Sequence, residues 1–96
     1  MRAAFVLVLA LAGCKSDAVR DMVENDKDGS PLAVAACFDR PDLPADACKR
    51  VATRRIDSVL AMAAPNDLQC WDATRAAQKF APDKVDALKT KCRAHQ

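Results

Sequence analysis

Apolar positions recur along this chain at three- and four-residue steps, the spacing that lines one face of a helix. After the polar pair Ser16-Asp17, a natural cap, Val19, Met22 and Val23 share one face of a first helix that ends before Gly29, a residue suited to the C′ position. Pro31 fits the first turn of a second, short apolar helix over Leu32–Phe38. The turn Arg40-Pro41-Asp42-Leu43-Pro44 then leads to the clearest pattern. Cys48, Val51, Ala52, Ile56, Val59, Leu60 and Ala63 form one stripe of a helix over Ala45–Ala63, with Lys49, Arg50, Thr53, Arg54 and Asp57 opposite. Pro65 ends that helix, Asn66 or Asp67 caps a fourth over Leu68–Phe80, and Pro82-Asp83 separates it from a last one over Asp83–Ala94. Nothing alternates with period two. The expected fold is all-α, a small bundle of four or five short helices.

Ninety-six residues allow one small domain and no two-domain enzyme. Hydrophobic residues make up 51% of the chain but aromatic ones only 4%, and 20 residues are alanine. From residue 14 onward only 17 larger apolar side chains remain beyond alanine and cysteine, Leu32, Leu68 and Trp71 among them. A core that thin needs covalent support. The triplets Cys37-Phe38-Asp39 and Cys70-Trp71-Asp72 lie 33 residues apart. Coincidence, or two similar stapled hairpins, accounts for that echo more simply than a repeat array does.

The first residues carry one positive charge, Arg2, then an apolar run from Ala3 to Ala12 and a small-residue exit, the pattern of a secretory signal peptide. Ten residues are too short to span a bilayer as a helix. Leu11-Ala12-Gly13-Cys14 resembles the lipobox of bacterial lipoproteins. That resemblance implies removal of residues 1–13, diacylglycerol on the Cys14 sulfur and an acyl chain such as palmitate on its new amino group, leaving 14–96 as a mature helical domain. Two or three acyl chains anchor a protein stably to a membrane, without spanning it. Lys15 stands where an Asp favours the inner membrane in enteric-type bacteria. The expected location is the cell envelope, on the outer membrane facing the periplasm.

Cys37, Cys48, Cys70 and Cys92 remain, an even number in an exported chain, which reads as two disulfides in an oxidising compartment. Three connectivities are possible. Cys70 and Cys92 stand eleven residues on either side of Ala81 at the Ala81-Pro82 turn, and Cys37 and Cys48 flank the Pro41/Pro44 turn nearly symmetrically. Symmetry therefore favours Cys37–Cys48 and Cys70–Cys92. Cys92 and His95 form half of a zinc site with no second close pair, so no metal is expected. Asp26-Lys27-Asp28-Gly29 resembles part of a calcium loop, but placing Gly29 at the loop glycine leaves Ala35 where the bidentate Glu belongs.

Charge is sorted along the chain. Residues 15–46 hold eight acids and four bases, residues 47–96 five acids and ten bases. Lys49, Arg50, Arg54 and Arg55, with Lys89, Lys91 and Arg93 near the end of the chain, form a candidate binding face for an acidic partner, anionic headgroups or polyanionic sugars, set against the commoner use of such a run as a solvated face. A net charge of +2 and few aromatics argue against nucleic acid as the partner. The single histidine, His95, sits one residue from the C-terminus, and no glycine-rich phosphate loop or paired-carboxylate motif stands out. No catalytic residue and no cofactor are expected.

Residues 19–52 are similar to the small entry-exclusion lipoproteins of conjugative plasmids, in an apolar run Leu32–Cys37, a turn with Pro41 and Leu43, then Cys48 and Val51-Ala52. That resemblance implies a role in blocking a mating channel. The sequence as a whole predicts a non-enzymatic, lipid-anchored envelope module that binds or braces an envelope protein, with entry exclusion and inhibition of an envelope hydrolase as alternatives.

Overall fold

In the computed structural model, which describes residues 17–93, every regular element is helical. Helix α1 spans Ala18–Glu24, α2 Pro31–Asp39, α3 Ala45–Ala61, α4 Asp67–Phe80 and α5 Val85–Arg93, with a 3₁₀ turn at Pro82–Lys84 before α5. The 1–13 leader and Cys14 lie outside the described residues, as does His95.

Local chemistry sets these boundaries. Asp17 caps α1 by accepting the Arg20 N–H at 3.0 Å, and the Ser30 hydroxyl caps α2 by accepting the Ala33 N–H at 3.1 Å. Asn66 and Gln69 form a reciprocal capping box on α4: Asn66 accepts the Gln69 N–H at 2.7 Å, and Gln69 accepts the Asn66 N–H at 2.9 Å. Helix α3 stops at Ala61, two residues short of the apolar stripe. A continued helix would drive the Pro65 ring into the Ala61 carbonyl, and the backbone turns extended at Met62 instead.

Gly29 is not the C′ residue of α1, whose C-cap is Asn25, four residues earlier. Its role is closer contact. The Asp26 carboxylate accepts the Gly29 and Ser30 N–H groups at 2.8 and 3.1 Å, curling the loop so that Gly29, at φ +68°, lies on the backbone of α3. A Cβ there would meet Arg55 N at 2.3 Å and the Arg54 carbonyl carbon at 2.7 Å. Only glycine fits both the left-handed conformation and the gap.

Helix α3 is the centre of the bundle and touches each of the other four helices. Its stripe of Val51, Ile56 and Val59 is fully buried, joined by Val23, Val34, Leu43 and Leu88 from the surrounding elements. The rest of the core is small: Ala33, Ala47, Ala52, Ala73, Ala76, Ala77 and Ala81 are buried with Cys37 and Cys48. Ala73, Ala76 and Ala77 lie on one face of α4 and let it approach α3 closely, in the most extensive helix pair of the fold. Arg55 and Asp72 bridge the same pair at 3.3 Å.

Both disulfides join the cysteines that the turn symmetry favours. Cys37–Cys48 ties α2 to α3 with Cα atoms 5.7 Å apart, and Cys70–Cys92 ties α4 to α5 at 6.0 Å. With sequence separations of 11 and 22 residues, loop-closure entropy assigns each about 3 kcal/mol of stabilisation. Against total stabilities of ~5–15 kcal/mol, two such bridges decide whether a domain this small stays folded.

Two outcomes are expected. Gly29→Ala should cost about 2–5 kcal/mol, from a left-handed alanine and an overpacked backbone contact, read as a lower urea midpoint; an unchanged midpoint would show that the loop does not rest on α3. Reduction with a thiol at neutral pH should lower the thermal midpoint sharply, and the double variant Cys70→Ala/Cys92→Ala should retain one reducible bridge. Insensitivity of the wild-type midpoint to reductant would disprove the stapling role.

Candidate functional site

The four α3 cations of the expected binding face do not stand free together. Arg50 pairs with Asp46 one turn earlier at 3.7 Å. Arg54 donates to the Asp26 backbone carbonyl, with its guanidinium 4.0 Å from the Asp26 carboxylate. Arg55, only 14% exposed, holds Asp72. Lys49 alone has no ion-pair partner among the described residues. Arg54 and Arg55 therefore fasten the α1–α2 loop and α4 to α3, so the face is largely neutralised from within.

Lys89 and Arg93, named in the same reading, join a separate basic surface over the second disulfide. The groove between α4 and α5, about 1030 Å³, has Cys70–Cys92 in its lining. Trp71, Thr74, Arg75 and Gln78 line it from α4, Lys89 and Arg93 from α5, and Asp67 contributes the one acid. Trp71 is 57% exposed and its neighbour Leu68, one turn earlier, 71% exposed. Arg75, Lys89 and Arg93 form no salt bridge among the described residues.

The groove has an ordered wall. The Arg75 guanidinium lies 4.0 Å from the Phe38 ring centre and 5.0 Å from the Trp71 ring centre, while Phe38 and Phe80 meet edge to face at 5.4 Å. Lys79 adds its ammonium 5.2 Å from Phe38. This row of alternating cations and rings couples the end of α2 to α4 and restricts the Arg75 and Trp71 side chains before any partner arrives. Flat apolar surface, restricted guanidinium donors and excess positive charge suit capture of an acidic partner, since Trp and Arg are the side chains most often dominant in binding interfaces.

Sequence reasoning counted Trp71 and Leu68 as core candidates. The signal for their exposure was the alanine face of α4: Ala73, Ala76 and Ala77 fill the inward side, and Leu68 and Trp71 fall opposite.

A second cluster organises the α1–α2 end. Arg40, which ends α2, grips the Asp17 carboxylate with two hydrogen bonds of 2.8 Å and the Asp42 carboxylate with bonds of 3.1 and 2.6 Å. One guanidinium thus ties the cap of α1 to the proline turn. The Arg40 hydrogen bonds, then the Arg20 N–H, hold the Asp17 carboxyl at about 2 against its ordinary 3.8. Asp42 is lowered for the same leading reason.

No group of three or more metal-ligating side chains occurs among the described residues, and no described helix is long and apolar enough to cross a membrane. Asp26, from the calcium-like stretch, directs its carboxylate onto backbone N–H groups. Fold and surface together define a disulfide-stapled five-helix module with an aromatic and cationic groove. The chain matches no family model, no curated protein and no solved structure.

Because the folded pKa of Asp17 lies below its unfolded value, its contribution is present above about pH 4 and disappears as pH falls toward 2. Asp17→Asn keeps the cap and removes the charge. The variant should lose less stability than wild type between pH 5 and pH 2 in urea titrations, and parallel curves would refute the clamp.

Proposed function

We propose that this chain is a non-enzymatic, lipid-anchored module of the bacterial cell envelope, held at Cys14 on the periplasmic side of the outer membrane, that binds an acidic envelope partner through the α4–α5 groove. The observation that carries the reading is the groove itself. Trp71 and Arg75 stand exposed on a stapled pair of helices, with Lys89 and Arg93 facing them and one carboxylate, Asp67, at hand. Export is supported by the lipobox-like Leu11–Cys14 and by two disulfides, which persist in oxidising compartments. Arg54 and Arg55, from the face expected on α3, hold Asp26 and Asp72, so reversing their charge would disturb folding.

Trp71 is the single tryptophan of the chain, so its emission reads groove occupancy without a label. Titration with a polyglutamate peptide at low salt should shift that emission. In Lys89→Glu/Arg93→Glu the binding should be at least about tenfold weaker, with helicity unchanged. No shift, or one indifferent to the charge reversal, would refute the groove. Anchor and staples are read together from the intact, unreduced mass of membrane-extracted protein. The expected mass is that of residues 14–96 plus acyl chains, less four hydrogens; an unprocessed chain would refute export.

A further inference from the structure

Helices α1 and α2 enclose a second, mainly apolar groove of about 430 Å³, lined by Val19, Met22, Leu32 and small alanines, with Asp39 and Arg40 also in its lining. Leu32 is 69% exposed and Val19 38%, a costly display of large aliphatic surface for a domain with so few such residues. Their placement relative to Cys14 indicates what covers them. Val19 is five residues beyond Cys14, a stretch that spans at most about 17 Å even when fully extended. Asp17, fixed to Arg40 by two hydrogen bonds of 2.8 Å, holds the chain at the start of α1. Acyl chains attached at Cys14 therefore bring the bilayer surface within reach of this patch.

We infer that the α1–α2 groove seats the module on the membrane, with Val19, Met22 and Leu32 entering the headgroup boundary beside the lipidated Cys14. This rests on the reading of Cys14 as an anchor. The contact is apolar: Asp17, Asp21 and Glu24 surround α1, with Arg20 paired to Glu24 at 3.6 Å, so anionic headgroups supply no attraction there. Burial of aliphatic surface, favoured by the high local concentration that the anchor enforces, holds the patch down.

A depth measurement on the full chain, expressed in bacteria that process lipoproteins, tests the seat. The double variant Leu32→Trp/Trp71→Phe puts the only tryptophan in the groove, and the wild type reports from α4. Each acylated protein is reconstituted into vesicles of phosphatidylethanolamine with a smaller share of phosphatidylglycerol, with and without brominated acyl chains. Tryptophan emission of the double variant should fall severalfold with bromine near the headgroups, and Trp71 emission of the wild type should hold constant. An acylated double variant whose emission ignores bromine overturns the seat and leaves the anchor standing; if that emission instead shifts blue with protein density, a second copy covers the patch and the seat is again overturned. A chain whose mass shows no acyl group overturns anchor and seat together.

Discussion

The contact on which the rest of the bundle depends is the one between Gly29 and the backbone of α3. At that point two stretches of main chain touch with no side chain between them, at a separation that an added Cβ would close to 2.3 Å. The loop that makes this approach is shaped by one carboxylate, Asp26, whose oxygens hold the Gly29 and Ser30 N–H groups. Closeness then dictates what the neighbouring side chains do. Arg54, directly under the loop, turns onto the Asp26 carbonyl, and Arg55, the next residue round the helix, reaches Asp72 on α4. Two cations of a run that looks like a binding face in sequence, Arg54 and Arg55, thus fasten two hairpins to one central helix.

The same economy of size governs α4. Alanine buries little area, so each contributes little hydrophobic free energy, at ~25 cal/mol per Å² of apolar surface. Alanine does, however, let helices approach until backbone and Cβ atoms pack directly. With Ala73, Ala76 and Ala77 turned inward, Leu68 and Trp71 in the first half of α4 lie on the surface, and of its large apolar side chains Phe80 alone packs against the core. Part of the lost burial is replaced covalently by Cys70–Cys92. The exposed tryptophan and the disulfide beside it follow from one constraint, a bundle assembled on small residues.

The helices and the staples were legible in the sequence because each rests on local rules. Capping residues, prolines and three- and four-residue apolar steps placed all five helices, and the symmetry of Cys37–Cys48 and Cys70–Cys92 about their turns gave the pairing. Contacts between elements were not legible. Gly29 reads in sequence as a helix terminator, since nothing local reveals that α3 passes beneath it. Arg54 and Arg55 read as part of a free face with Lys49 and Arg50 because their acids come from elsewhere, Asp26 and Asp72 lying 28 and 17 residues away. Arg40, which no motif marks, becomes the clamp of the α1–α2 end because folding brings Asp17 to it across 23 residues.

Charge sorting along the chain acquires a physical sense once both hairpins are seen to rest on α3. The acidic segment 15–46 contains the hairpin nearest Cys14, and the basic segment 47–96 contains the α4–α5 groove. On an anionic bilayer the opposite order would draw the groove down onto headgroups and occupy its cations there. In the proposed arrangement the acidic hairpin meets the membrane through aliphatic side chains alone, and Arg75, Lys89 and Arg93 keep their charge for a partner beyond it.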